Sequence, residues 1–70
     1  MADIDKIKSR LGQEIEYSRL SQTEIAKNVG VSQQQISCYM HGKKLPALDT
    51  FATLCKVLNA DPAYILGLVD

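Results

Sequence analysis

Residues 21–39 of this 70-residue chain read SQTEIAKNVGVSQQQISCY. Ser21 followed by Glu24 forms a capping box, a pattern that begins a helix because each side chain accepts a hydrogen bond from the other residue's backbone N–H. Gly30 suits the left-handed conformation that ends a helix. Ser32 then begins a second capping box of the same form. This stretch therefore predicts two short helices joined by a sharp turn, which is the arrangement of a helix-turn-helix.

The second of these helices, predicted over about residues 33–40, has a polar face without a full charge. At about 100° per residue, one arc of the helix carries Gln33, Gln34, Ser37, Cys38 and His41. The opposite arc carries the apolar side chains of Ile36, Tyr39 and Met40. A face that is solvated only for solubility usually carries Lys and Glu. Glutamine and serine instead offer donors and acceptors that match base edges, with a merely soluble surface helix as the alternative interpretation.

The ordered set of these residues resembles the helix-turn-helix of the Cro and phage-repressor (XRE) family. The resemblance rests on Ser21-Gln22, Glu24-Ile25-Ala26, Gly30-Val31-Ser32, Ile36-Ser37 and Gly42. It continues through Pro46 to residues 64–67, and so covers nearly the whole chain. It implies an all-α, five-helix, lambda-repressor-like DNA-binding domain, in which the helix-turn-helix proper spans about residues 22–40.

The sequence before the motif predicts a first helix over residues 3–18. Four apolar side chains recur there at i+3 and i+4 spacing: Ile4, Ile7, Leu11 and Ile15. Asp3 precedes them and is expected to be the N-cap. Gly12 lies inside this pattern, where a glycine costs about 1 kcal/mol relative to alanine.

Two more helices are predicted after the motif. Residues 48–58 carry a broad apolar stripe that is typical of a core-facing helix, with Ala47 as a poor cap before it. Asp61 and Pro62 then begin a fifth helix as N-cap and first helical residue, and Gly67 ends it.

Length and composition favour a single domain, residues 1–70, with a small core. The two cysteines, Cys38 and Cys55, lie in helical patterns and are interpreted as reduced thiols of a cytoplasmic protein. One His and two Cys without clustered spacing argue against a metal site. No apolar run approaches the roughly 20 residues that span a bilayer. We therefore expect a cytoplasmic, nucleoid-associated protein of bacterial or phage type, without a cofactor, a membrane partner or a small-molecule site.

The formal net charge is zero at pH 7, whereas many DNA-binding domains are basic. The distribution of charge matters more than the sum. Four basic residues lie in or near the motif: Arg19, Lys27, Lys43 and Lys44. Acidic residues lie mostly toward helix starts and chain ends, which predicts a modest basic face. The first helix carries three basic residues, Lys6, Lys8 and Arg10. We expect most of them to lie on a solvated face, and a phosphate-binding edge is the alternative.

Gln33 and Gln34 are the strongest candidates for base contacts. A glutamine side chain can donate to and accept from adenine N7 and N6 in a bidentate fit. The resemblance supports this, because lambdoid phage repressors use a glutamine at the first position of the recognition helix to contact bases. Ser37 and Cys38 lie along the same arc and are further candidates for contact with a base or a thymine methyl group.

The phosphate-contact candidates flank the recognition helix and are Gln22, Ser32, His41, Lys43 and Lys44. In the resembled family, a glutamine at the position of Gln22 clamps a DNA phosphate; an exposed glutamine without this role is the alternative. Lys43 and Lys44 suit contacts with the phosphates of the DNA backbone, although an ordinary exposed loop with two lysines fits the pattern as well.

The resulting hypothesis is sequence-specific binding of double-stranded operator DNA in the major groove by a transcriptional regulator acting as a repressor. One recognition helix buries too little surface for tight binding, so we expect a homodimer, at least on DNA. The candidates for its interface are Tyr64, Leu68 and Val69. The chain either acts alone or is a piece of a longer regulator.

The alternative function is an antitoxin-like or other protein-interaction module on the same fold, which needs a large exposed apolar patch or an additional arm. An enzyme is not supported by the sequence. His41 is the only histidine, and it has no recognisable nucleophile or base arrangement around it.

One pair of positions departs from the family pattern. Family members commonly carry Glu at the position of Met40, and in several phage repressors this Glu pairs with an Arg at the position of Ile15. Both residues are apolar here. We hypothesise that Ile15 and Met40 touch, so that a hydrophobic contact replaces a partly buried ion pair, a change that can be neutral or stabilising. The alternative is that Met40 is a partly exposed gap filler.

Overall fold

The computed structural model describes residues 2–69, so Met1 and Asp70, the two ends of the predicted 1–70 domain, lie outside the described residues. Within this range the chain forms five α-helices and no strand. They are α1 (Ile4–Glu16), α2 (Gln22–Val29), α3 (Gln33–Met40), α4 (Leu48–Leu58) and α5 (Pro62–Leu66). The all-α, five-helix prediction is confirmed.

The helix starts follow from the side-chain caps that the sequence contains. Asp3 Oδ1 accepts a hydrogen bond from Lys6 N at 3.2 Å. Ser21 and Ser32 each accept one from the backbone N–H three residues later at 3.1 Å, and both capping boxes are complete. The backbone N–H and then the hydroxyl of Ser21 lower the pKa of Glu24 from its usual value. Both helices of the motif therefore have local start signals that need no tertiary contact.

The first helix ends two residues earlier than predicted. Tyr17 is the C-cap of α1, and its N–H donates to Gln13 O at 2.9 Å. The hydroxyl of Ser18 then accepts a hydrogen bond from Leu20 N at 3.1 Å. A serine that bonds the backbone locally offers an alternative to the helix, which explains why the helical spacing does not continue to Ser18.

The helices pack in pairs around one apolar core. α1 packs on α3 and α5, and α2 packs on α3 and α4. The buried side chains are Ile7, Leu11, Ile15, Ile25, Ala26, Ile36, Tyr39, Phe51, Leu54, Cys55 and Ile65. No buried polar or charged residue is found in the described chain. α1 and α2 thus both pack against α3, whose apolar arc lies in the core and whose polar arc faces outward.

Gly12 has a packing role that the sequence alone does not reveal. It is buried in α1, and a Cβ atom added to it would lie 2.5 Å from the carbonyl oxygen of Met40. Real side chains do not tolerate such a distance. The missing side chain of Gly12 therefore permits the close approach of α1 to the C-terminal end of α3.

Arg10 joins α1 to the C-terminal part of the chain. Its guanidinium carbon lies 4.1 Å from the centroid of the Tyr64 ring, a cation–π geometry. Its Nη1 donates to the carbonyl oxygens of Tyr64 and, at 3.4 Å, of Val69. Arg10 is half-buried and therefore differs from the solvated face expected for most charged residues of this helix.

The start of α4 offers a direct test of the capping argument. Ala47 occupies its N-cap in extended conformation and makes no side-chain cap bond, as predicted. Ala47→Ser is expected to raise the free energy of unfolding by about 0.5–1 kcal/mol, because serine can accept a hydrogen bond from Asp49 N, whereas Thr50 N already donates to Asp49 Oδ1 at 2.9 Å. Urea unfolding measures this difference. The control is Ala52→Ser at an exposed position inside the same helix, where serine is expected to be slightly destabilising. Equal effects at both sites would contradict the capping explanation.

Both cysteines are free: Cys38 is half-buried and Cys55 is buried. Burial, with the nearby Asp61 and Glu14 carboxylates, raises the pKa of the Cys55 thiol, so this residue stays protonated and unreactive near neutral pH. Among residues 2–69, no group of three or more metal-ligating side chains is found. None of the helices in this range is both long enough and apolar enough to span a bilayer.

Candidate nucleic-acid interface

The first turn of α3 presents the two predicted base-contact glutamines. Ser32 caps this helix, so Gln33 and Gln34 occupy its first two positions, and both are exposed. Gln33 Oε1 accepts a hydrogen bond from the hydroxyl of Thr23 on α2 at 3.2 Å. This bond orients the amide of one glutamine from the neighbouring helix. The sequence alone gives no signal for this role of Thr23, because its position relative to Gln33 depends on how the two helices pack.

Farther along the same face, Ser37 and Cys38 are half-buried and His41 is exposed. His41 Nδ1 lies 2.8 Å from the carbonyl oxygen of Ser37, and the Ser37 hydroxyl lies 3.4 Å from the same nitrogen. A carbonyl oxygen can only accept, so Nδ1 carries a proton and donates to it. The imidazole is therefore held against the last turn of α3.

Gln22 lies at the first position of α2 and reaches the end of α3. Its Nε2 donates to the Met40 sulfur at 3.3 Å, and the residue is half-buried. A thioether is a weak acceptor, so this bond holds the amide in place without satisfying it strongly. The backbone N–H groups of the first turn of α2 also carry partial positive charge.

The loop after α3 carries the two lysines that are predicted to contact phosphates. Gly42 has a φ of 70°, and Lys43 N donates to Cys38 O at 2.9 Å, which closes the end of the helix. Lys43 and Lys44 are both exposed. Lys44 Nζ lies 5.9 Å from the centroid of the buried Tyr39 ring, so its position is coupled to the core. The structure thus brings Lys43 and Lys44 to the C-terminal end of α3.

Ser32 and the three dimer-interface candidates differ in exposure. Ser32 is exposed, and its hydroxyl already accepts the N–H of Gln35. Tyr64 is half-buried under the guanidinium of Arg10. Leu68 and Val69 are 74% and 50% exposed. The exposed apolar surface of this segment therefore comes from the residues after α5.

Comparison with known proteins identifies the class of this domain. A family model described as helix-turn-helix matches residues 18–65. The match covers more than half of the chain, and the protein therefore belongs to this helix-turn-helix family, the XRE type that the motif residues resemble. A search of curated proteins finds no match.

One solved structure is similar over most of the chain. It is the solution structure of the SOS-response transcriptional repressor LexA from Eubacterium rectale, with 25% sequence identity and a TM-score of 0.77. The alignment covers 90% of this chain and 67% of that one. Family and structural neighbour together indicate a DNA-binding transcription regulator and favour this class over an enzyme.

Proposed function

We propose that this domain binds double-stranded operator DNA sequence-specifically, with α3 in the major groove, and represses transcription. The observation that carries the proposal is the exposed pair Gln33 and Gln34 at the start of a helix whose opposite side lies in the core. A major groove about 12 Å wide admits one α-helix, and a glutamine amide can pair with adenine in a bidentate manner. Ser37 and Cys38 continue the same face.

The candidate phosphate contacts frame this helix. Gln22 and the start of α2 lie beside the end of α3, while Lys43 and Lys44 follow it. Contacts of this type fix the register of a protein on the duplex but carry no sequence information. His41 and the N-terminal end of α3 at Ser32 complete the proposed set. A protein with zero net charge should depend strongly on matched base contacts.

Repression is supported by the similarity to the structure of a transcriptional repressor, and by simple steric exclusion of other proteins from an occupied operator. The site of action is the cytoplasm, where bacterial and phage DNA lies. The protein-interaction alternative draws less support, because the family match and the similar structure both point to DNA-binding regulation.

A selection of binding sites from random duplexes, read by sequencing, tests the proposal directly. We expect an enriched pseudo-palindrome whose half-sites are about 34 Å apart, one turn of DNA, because two copies would each insert one α3. No enrichment over input would contradict sequence-specific binding and favour the protein-interaction alternative.

The assembly itself is a separate prediction. Analytical ultracentrifugation with the enriched duplex is expected to show two protein chains per duplex at saturation. A duplex that carries only one half-site is the matched control and should bind one chain more weakly. A saturated full-site complex with a single chain would contradict the dimer, and with it the interface role of Tyr64, Leu68 and Val69.

Substitutions separate base contacts from phosphate contacts. Gln33→Ala or Gln34→Ala is expected to cost about 1–3 kcal/mol on the matched operator and to relax the preference at one or two base pairs. Lys43→Ala is expected to weaken matched and random DNA alike and to reduce the salt slope by about one. Fluorescence anisotropy on both duplexes gives these values. An equal loss on all sequences for the glutamine variants would show that they do not contact bases specifically.

A further inference from the structure

The close contact between Gly12 and Met40 fixes how α1 and the end of α3 lie against each other. Gly12 lies against the carbonyl group of Met40. Lys8 precedes Gly12 by about one helical turn, and Gly42 follows Met40 by two residues. Lys8 is therefore placed beside the start of the loop that carries Lys43.

The aliphatic stem of Lys8 faces Gly42. A Cβ atom added to Gly42 would lie 3.7 Å from Lys8 Cβ and 3.9 Å from Lys8 Cδ, so a gap of about one methyl group separates the stem from the glycine. Lys8 is half-buried, as expected for a lysine whose stem covers protein surface while its ammonium reaches water. Because Cδ lies on this side of α1, the ammonium group can reach the loop after α3.

The electrostatic surroundings of Lys8 favour a bound anion. Lys8 and His41 line the same open cleft of about 340 Å³ between α1 and the end of α3. Glu16 also lines this cleft, but it lies about 12 Å farther along α1, at a rise of 1.5 Å per residue. Lys43 and Lys44 are exposed in the adjoining loop. The lysines nearest the loop end of the cleft are therefore Lys8, Lys43 and Lys44, with the exposed Asp5 one turn before Lys8 on α1.

We propose that Lys8 is a DNA-phosphate contact that completes, with Lys43 and Lys44, a basic patch spanning α1 and the loop after α3. This inference rests on the proposed DNA-binding function. A lysine ammonium is a compact point charge that suits a phosphate without requiring a base-specific geometry. Because Lys8 lies on a different helix from the base-contact residues, its phosphate contact orients α3 in the groove rather than selecting bases.

The test compares salt slopes on a random-sequence duplex of about two helical turns, since phosphate contacts do not depend on sequence. Lys8→Met keeps an unbranched stem and removes the charge, whereas Lys8→Arg keeps the charge. Lys6→Met is the matched control, because Lys6 is exposed about 200° around the same helix. Lys8→Met is expected to reduce the slope of log K against log salt by about 0.9, as Lys43→Ala does. Lys8→Arg and Lys6→Met are expected to keep the wild-type slope.

Three outcomes would overturn the inference. A wild-type slope for Lys8→Met beside a reduced slope for Lys43→Ala would reject the role of Lys8 and leave the proposed function standing. Equal reductions for Lys6→Met and Lys8→Met would show that total charge, not position, governs binding. No salt-dependent binding by the wild-type protein would reject both proposals. Thermal unfolding of each variant verifies its fold, and Lys8→Gln replaces Lys8→Met if that variant unfolds.

Discussion

Gly12→Ala is expected to lower the free energy of unfolding by about 2–3 kcal/mol, although alanine is the better helix former. At an open helix position the same change should stabilise by about 1 kcal/mol. Here the new Cβ atom would meet the Met40 carbonyl oxygen at 2.5 Å, and a backbone group cannot rotate away as a side chain can. α1 must therefore move from α3, which costs packing energy throughout the core. Urea unfolding at constant pH measures the difference.

The control for this prediction is Gln13→Ala, an exposed substitution at the next residue of α1. It is expected to change stability by less than about 0.5 kcal/mol. A stabilised Gly12→Ala variant would contradict the close approach of α1 to the end of α3. Because the contact also fixes the position of Lys8, Gly12→Ala should weaken binding to random DNA as well.

Met40→Glu is expected to destabilise the protein by on the order of 2–3 kcal/mol. Met40 packs against the core cluster, and Ile15 within that cluster is 3% exposed. A carboxylate at this position would lose water where the side chain packs against the core. The charged side chains that line the cleft beside Met40 are Lys8 and Glu16, one of each sign, so they offer the new carboxylate no clear net attraction. Met40→Gln, which is of similar size and uncharged, is the matched control and should cost less.

Two further measurements distinguish the causes of this loss. A carboxyl that packs against the core has a raised pKa, so the destabilisation of Met40→Glu should shrink as the pH falls and the group becomes protonated. Ile15→Arg alone should be strongly destabilising, because Ile15 is 3% exposed. The double-mutant cycle is nevertheless expected to show a favourable coupling of about 0.5–3 kcal/mol between the two substitutions. Strictly additive effects, or a harmless Met40→Glu, would show that the two side chains do not share a buried site.

Local chemistry explains why so much of the fold could be predicted from the sequence. The starts of α2 and α3 depend on hydrogen bonds between residues three positions apart, so Ser21 and Ser32 reveal them directly. The end of α1 was missed because the Ser18 hydroxyl competes with the helix for backbone partners. The outward direction of Gln33 and Gln34 followed from helical periodicity.

What could not be predicted depends on distances between segments far apart in the chain. From the sequence, Gly12 is expected only to destabilise its own helix. Its stabilising role depends on the close approach of Met40, which the sequence does not show. Arg10 carried no signal of its contact with Tyr64, 54 residues away. Lys8 could not be distinguished from Lys6 by charge, since the two differ in their position relative to Gly42 and the loop after α3. Each of these roles requires the relative placement of two helices.

The acidic residues at the helix starts bear on how the protein would search a genome. Asp3 and Asp61 cap α1 and α5, and Asp49 lies in the first turn of α4. In these positions the carboxylates stabilise their helices. Their negative charges also offset the positive charges of the lysines, so the net charge of the chain is zero. Under the proposed function, such a protein would be retained weakly by the millions of unmatched sites in a chromosome, which would compete with the operator for every molecule. Fewer copies per cell would then suffice to occupy the operator, and occupancy would respond quickly when their number changes.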